Sequence, residues 1–388
     1  MQENKLKVLH TADLHLGSAF SNLPPEIAAE LRKEQKDMLF RLIGICREEG
    51  AGLLLLAGDV FDRPFPDKEL VRLFLDSMKE IPGTDVFITP GNHDPFFADS
   101  PWGTEAWPAN VHLFGPDRKS FVLDEKKVQV DGSAFSGFTA ETPLFEGVER
   151  TVPEEYFRFL MWHGDLTDQA SSYNPLSAGA AFLKDYDYVA LGHIHKELTE
   201  KIRGTGNVLI RYPGCPGGRG FDELGESFFW LGHFTKGQGG TTGTWDRIPA
   251  GTRSFLWFDA DIAGCTDAEQ VKERLLKVIA GEVSALTDTS MGKKALMRIV
   301  LKGRVPEEMI LDTDYYANYL KSEGFCYTQI IDDTRVLRDL ERLKDQPGFT
   351  GLLIQNYLSR LAKAGNEDEK RELETALEYV FQAAQGEL

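Results

Sequence analysis

KVLHTADLH, residues 7–15, is an apolar run that ends in two side chains able to bind metal, Asp13 and His15. A short apolar run of this kind reads as a buried strand. Side chains two apart in an extended segment face the same way, so Asp13 and His15 can reach one ion together. The same grammar recurs downstream. GLLLLAGD (52–59) runs into Gly58-Asp59, DVFITPGNHD (85–94) into Gly91-Asn92-His93-Asp94, and YVALGHIH (188–195) into His193 and His195. A fifth run, RFLMWHG (158–164), ends in His163-Gly164. Between the first three runs the period changes. Ile27, Leu31, Met38, Leu42 and Ile45 recur at helical spacing, with prolines at the start and Gly50 as the stop, and residues 67–80 form a second such segment. Strands alternating with helices predict a largely parallel layer.

After Asn110 the runs shorten. Val111–Phe114, Ser120–Leu123, Lys127–Val130 and Ser133–Gly137 read as close-set strands, an antiparallel extension. Phe228–Phe234 and Thr244–Ile248 flank a Gly-rich stretch, 236–243, that reads as a long hairpin loop. A boundary near 251–253 divides a domain of residues 1–252 from a small α+β domain of 253–346, and a helical segment of 347–388 follows. In that last segment Leu352, Leu353, Tyr357 and Leu361 line one amphipathic helix, and Leu373, Leu377, Val380 and Phe381 line another.

The polar clusters share a chemistry. Histidine, aspartate and asparagine together suit Mn²⁺, Fe²⁺ or Zn²⁺ better than Mg²⁺ or Ca²⁺. Asp13, His15, Asp59, Asn92, His163, His193 and His195 are too many ligands for one first-row ion. Two ions sharing Asp59 would use them all, and two metals about 3.5–4 Å apart clamp a phosphoryl group for in-line attack. Each motif alone is weak, since Asp and Asn also favour turns; their order along the chain, each at a strand end, is the signal. Pro216-Gly-Gly-Arg219-Gly-Phe221 adds a Gly-rich turn presenting one arginine, a candidate substrate-binding contact to phosphate. His10, His112, His233, Trp102 and Trp107 read first as packing residues. There is no Gly-x-x-x-x-Gly-Lys motif, so the chain itself is not expected to hydrolyse ATP.

Together these clusters resemble the five signature motifs of the calcineurin-like metallophosphoesterase superfamily. His10-Thr-Ala-Asp-Leu-His-Leu-Gly17, Leu191-Gly-His-Ile-His-Lys196 and Tyr212-Pro-Gly214 are similar to the SbcD/YhaO-type DNA repair exonucleases. The resemblance covers residues 7–250 well and is fainter beyond. It implies a four-layer αββα sandwich, with a small α+β capping domain and C-terminal helices. It implies one ion held by Asp13, His15, Asp59 and His195, and another by Asp59, Asn92, His163 and His193. His93 takes the position of the catalytic histidine, and Asp94 that of a residue orienting it by a hydrogen bond. The resemblance further implies a Mn²⁺-dependent exo/endonuclease acting on DNA in double-strand-break repair, a homodimer, and an SMC-like ATPase partner of the SbcC kind. Asp62 stands where the archetypal nucleases carry a histidine. The competing readings are a small-molecule or protein phosphoesterase of the same superfamily, and a mainly structural adaptor for the ATPase.

Composition sets the outer limits. The chain has 388 residues, 42% hydrophobic and 27% charged, enough for a full core. Four cysteines, none in a Cys-x-x-Cys pair, exclude a disulfide scaffold and a zinc ribbon. A polar start without an apolar h-region and the lack of a long apolar run predict a cytoplasmic protein with no membrane span. The net charge of −18 speaks against a broad basic track for nucleic acid.

Overall fold

A computed structural model of the chain describes residues 3–116, 119–201 and 208–385. Its first strands in chain order are β1 (Asn4–Thr11), β2 (Leu53–Leu56), β3 (Asp85–Ile88), β4 (Val111–Leu113), β5 (Ser120–Leu123), β6 (Val128–Gly132), β7 (Phe157–His163), β8 (Tyr188–Gly192), β9 (Leu198–Lys201), β10 (Leu209–Tyr212), β11 (Phe228–Gly237) and β12 (Gly240–Pro249). They form two six-stranded sheets, β12-β11-β1-β2-β3-β4 and β5-β6-β7-β8-β10-β9. β1 to β4 are parallel in sequence order, with Leu9 opposite Leu54 and Leu55 opposite Phe87. In the second sheet β6, β7, β8 and β10 are parallel.

Both faces of the central strands are buried, and the period of two sorts their side chains into separate cores. Val8, Leu53, Leu55 and Phe87 of the first sheet meet Phe157, Phe159, Met161, Tyr188 and Ala190 of the second. Leu9, Leu54, Leu56, Val86 and Ile88 point the other way, onto α1 (Pro25–Glu49) and α2 (Lys68–Lys79) through Leu39, Leu42, Phe74 and Met78. Helix α1 ends where the sequence predicts, at Gly50, whose φ of 62° is left-handed. The outer face of the second sheet (Leu160, Trp162, Val189, Leu191) is covered by Phe145, Leu176, Leu183 and Tyr186, from loops and a 3₁₀ turn, Ala181–Asp185. Two mixed sheets face each other as expected, and among the described residues this outer layer is built of loops and 3₁₀ turn rather than α-helix.

Three details depart from the sequence reading. β4 is not part of an antiparallel extension but continues the parallel first sheet; of the short strands only β5 and β6 pair antiparallel. Ser133–Gly137 is no strand, because it spends its backbone on the loop after β3: Phe135 N donates to Pro90 O and Phe135 O accepts from Phe96 N. The Gly-rich 236–243 stretch is mostly strand, since Thr241, Thr242 and Gly243 pair with Lys236, Thr235 and Phe234, leaving a tight turn.

Further on come α3 (Pro101–Thr104), β13 (Phe255–Asp261), α4 (Ala268–Ser284), β14 (Leu296–Lys302), β15 (Arg304–Pro306), α5 (Thr313–Ser322), β16 (Tyr327–Asp332), β17 (Arg335–Leu337), α6 (Leu340–Leu343), α7 (Phe349–Leu361) and α8 (Glu367–Gln385). β13, β14 and β16 make a three-stranded sheet. By compactness the chain divides into two units, one of residues 1–257, 282–298 and 320–329 and one of 258–281, 299–319 and 330–388. In the second unit α7 and α8 pack on each other and on α6 through Ile354, Tyr357, Leu377, Leu340 and Leu343. Leu352, assigned from sequence to the buried stripe, is 68% exposed, and Ile354 takes that place. Among the described residues no helix is long and apolar enough to cross a membrane. Residues 1–2 and 386–388 of the expected first domain and last segment lie outside the described residues.

Candidate metal centre

Parallel strands deliver their C-terminal ends to one edge, where loops carry the polar clusters. This is the usual ligand edge of parallel sheets. Asp13 and His15 follow β1, Asp59 follows β2, Asn92 and His93 follow β3, His163 closes β7, and His193 and His195 follow β8. The first two loops are stitched together: Asp13 N donates to Gly58 O, His15 N to Asp59 O and Leu16 N to Val60 O. Four of these residues hold left-handed backbone: Asp13 (φ 53°), His15 (42°), Asp59 (49°) and His193 (102°). Such conformations cost about 1–3 kcal/mol each and persist where the surroundings enforce them, often at functional sites. Glycine makes the close approach possible. A Cβ on Gly91 would lie 2.2 Å from Asp59 Oδ1, and one on Gly58 2.0 Å from His163 Nδ1.

The side chains converge in two sets. His15 Nε2 and His195 Nε2 face each other at 3.2 Å, with Asp13 Oδ1 3.8 Å from His195 Nε2 and Asp59 Oδ2 3.7 Å from His15 Nε2. On the other side Asn92 Oδ1 is 3.0 Å from both His163 Nε2 and His193 Nδ1, and Asp59 Oδ2 is 3.4 Å from His163 Nε2. Asp59 stands between the sets.

The outer nitrogens face partners behind the site. His163 Nδ1 donates to Ala57 O at 2.8 Å, and His195 Nδ1 is 2.6 Å from Glu223 Oε1. With a metal bound, the Nε2 atoms of His163 and His195 would be the ones turned inward. Two imidazole nitrogens 3.2 Å apart, with carboxylate oxygens 3.8 and 3.7 Å from them, make a donor set that fits a divalent ion. The charges agree. Burial pushes the Asp59 carboxyl up, but His163, His15 and His93 outweigh it and hold the group well below the usual carboxylate range. Burial lowers His163, and Asp59 more than reverses this. A buried anion here demands a cation beside it. Asp13/His15/His195 and Asp13/Asp59/His163 each gather ligand atoms within 4.8 Å, as does His15/Asp62/His93.

His93 is exposed at the mouth. Its ring lies edge-on to His15 with centroids 4.8 Å apart, and its backbone N–H donates to Asp59 Oδ1 at 2.8 Å. Asp94 does something other than expected. Its two carboxylate oxygens accept from Phe61 N (2.9 Å) and Gly91 N (2.8 Å), so it braces two loops and makes no hydrogen bond to His93. Arg219 is not presented free to solvent. Its guanidinium is engaged by Asp62 Oδ1 (3.1 Å) and Glu223 Oε1 (2.9 Å). His10, His112 and His233 lie off the site, bonded to Tyr188, Asp85 and Asp246. Trp102 is buried, donates to Asp94 O, and stacks on Trp107. Sequence reasoning missed Glu223, and also Asp165 and Tyr173 beside His193. No local pattern marks them.

Comparison with known proteins sets this geometry in a family context. Residues 6–197 match the model of the family described as calcineurin-like phosphoesterase. The chain is 28% identical over 320 residues to "Uncharacterized metallophosphoesterase YhaO" of Bacillus subtilis (strain 168), covering 79% of this chain and 74% of that protein. It is 27% identical over 227 residues to "DNA double-strand break repair protein Mre11" of Methanopyrus kandleri, covering 54% of this chain and 49% of the relative. With the D subunit of the nuclease SbcCD of Bacillus subtilis (strain 168) the identity is 26% over 264 residues, covering 57% and 64% respectively.

Proposed function

We propose, on the premise that residues 6–197 belong to the calcineurin-like phosphoesterase superfamily, that this chain is a two-metal phosphodiesterase acting on DNA. The observation that carries the reading is the meeting of two nitrogen–oxygen donor sets at Asp59. Asp13, His15, Asp59 and His195 would hold one ion, and Asp59, Asn92, His163 and His193 the other, with Mn²⁺ the expected metal. When bound, such ions supply Lewis-acid polarisation of the phosphoryl oxygens and an acidified water.

The chain's own residues do the rest. Asp59 sets the spacing of the two donor sets. His93, tethered by its N–H to Asp59, reaches toward a substrate phosphate and can hydrogen-bond an equatorial oxygen or pass a proton to the leaving oxygen. Asp94 keeps the loops after β2 and β3 in register, so that Asp59 and His93 do not drift apart.

DNA as substrate rests on the likeness to relatives named as a DNA double-strand-break repair protein and as part of a nuclease. The same likeness supports an SMC-like ATPase of the SbcC kind as partner; a homodimer and a cytoplasmic place in repair belong to the same proposal. A net charge of −18 favours the second reading, a phosphoesterase on small substrates that needs no basic track. The two separate in one assay. Purified protein is offered linear plasmid, single-stranded DNA and bis(p-nitrophenyl) phosphate with Mn²⁺, with and without chelator. Chelator-sensitive cleavage of DNA is expected; turnover of the small diester alone selects the second reading, and no turnover of either sinks both.

A further inference from the structure

His15 and His195, which share one donor set, are also joined from behind. His15 Nδ1 lies 3.1 Å from Asp62 Oδ1, and the same oxygen lies 3.1 Å from Arg219 Nη1. Arg219 Nη2 and Nε donate to Glu223 Oε1 at 2.9 and 3.2 Å, and that oxygen lies 2.6 Å from His195 Nδ1. Glu223 is fixed further by its Oε2, which accepts from Arg219 N at 2.8 Å and from Cys215 Sγ. The result is an arc, histidine–carboxylate–guanidinium–carboxylate–histidine, spanning residues far apart in the chain. It is hydrogen-bonded through Arg219 and Glu223, and at its other end Asp62 meets His15 Nδ1 by charge and proximity, not by a hydrogen bond.

Among the described residues the other donor set has no such arc. His163 is backed by a neutral carbonyl, Ala57 O, and His193 Nε2 lies 3.5 Å from Asp165 Oδ1, beyond the usual hydrogen-bond length. Carboxylates behind a ligating histidine fix its ring and tautomer and raise its basicity. Losing such a partner typically costs about 10–100-fold in metal affinity. A guanidinium between two carboxylates holds both at fixed spacing and cancels charge that would otherwise repel. The two donor sets are therefore built unequally.

We propose that the Asp62–Arg219–Glu223 arc is a positioning device that makes the Asp13/His15/His195 position the tighter of the two metal positions, and that Arg219 serves this arc rather than a substrate phosphate. The proposal rests on the two-ion reading above. It also accounts for Asp62, the departure from the family's histidine, as the carboxylate that lies between Arg219 and His15.

The test is a titration of the metal-free full-length protein with Mn²⁺, reading free Mn²⁺ by electron paramagnetic resonance and heat by calorimetry. The wild-type chain is expected to bind two ions with separable dissociation constants. Glu223→Gln, nearly isosteric, is expected to weaken the tighter one by about 10–100-fold and leave the other unchanged. Arg219→Lys is expected to weaken the same ion, and at saturating Mn²⁺ to leave the KM for a small phosphodiester unaltered. Two ions on the wild type with both constants unchanged in Glu223→Gln and Arg219→Lys overturn the arc and spare the two-ion reading. A raised KM in Arg219→Lys at saturating Mn²⁺ also overturns it, in favour of a phosphate contact. Fewer than two ions on the wild type overturn both.

Discussion

Asp59 is the residue on which the site turns, because its carboxylate lies between the two donor sets and also fixes the His93 backbone. Asp59→Asn is expected to lose both ions, whereas Asp13→Asn weakens mainly one; metal counting on the purified variants decides, and two tightly held ions on Asp59→Asn would rule the bridge out. His93→Ala is expected to fold and to bind metal as before, since His93 completes neither set, while the rate falls by about 10²–10⁴. Activity within a few-fold of the parent would remove His93 from the chemistry. The candidate ligands were readable because each follows an apolar strand within a few residues. Asp62, Arg219 and Glu223 were not, because their meaning is a contact: Asp62 and Arg219 are 157 residues apart. Arg219 alone looked like an arginine awaiting phosphate, and Asp94 alone looked like a partner for His93; only the fold reveals which backbone amides and carboxylates reach them first.

At the level of elements, strands with long apolar runs and the helices between them were legible, as period and capping residues agree. Short segments were not. Ser133–Gly137 has strand composition but bonds to a loop, and β9, exposed along its length, has no apolar pattern to announce it. One polar tie between the sheets makes a testable contribution. His10 on β1 meets β8: Nε2 donates to Leu191 O at 3.1 Å and Nδ1 accepts from Tyr188 Oη at 2.7 Å, a fully bonded neutral imidazole. Burial, aided by Arg211, lowers its pKa from 6.5 to about 3. The unfolded chain takes up a proton near pH 6.5 that the folded chain refuses. The His10 contribution is thus complete above pH 6.5 and declines toward pH 3. Between about pH 7.5 and 5.5 the loss amounts to about 1.4 kcal/mol. In urea titrations with chelator present, His10→Asn is expected to be less stable than wild type at about pH 7.5 and to lose correspondingly less on going to about pH 5.5. Equal losses in the two proteins would show that His10 does not carry this dependence. Other titrating groups are common to both and cancel.

For the molecule as a whole, the sequence marked a change of character near residue 252, but it could not foresee that compactness groups residues in interleaved stretches, because that depends on long-range contacts. The C-terminal helices α7 and α8 bury Ile354, Tyr357 and Leu377 against each other, yet Phe349 and Leu352 stay exposed. Deleting residues 349–388 is expected to leave metal binding and Mn²⁺-dependent cleavage of a small diester intact while abolishing capture of the proposed ATPase. Insolubility or loss of cleavage in the truncated chain would mark these helices as structural. The siting of the candidate ligands has a wider consequence. Asp13, His15, Asp59 and Asn92 follow strands of one sheet, and His163, His193 and His195 belong to the other. Bound ions would rivet the two halves of the sandwich, adding stability that grows with free metal as RT ln(1 + [M]/Kd). In a cell short of the bound metal the same chain would open more often and be degraded sooner. Its abundance would then follow the metal supply without any change in its synthesis, and a pulse–chase under divalent-metal limitation would see it as a shortened half-life.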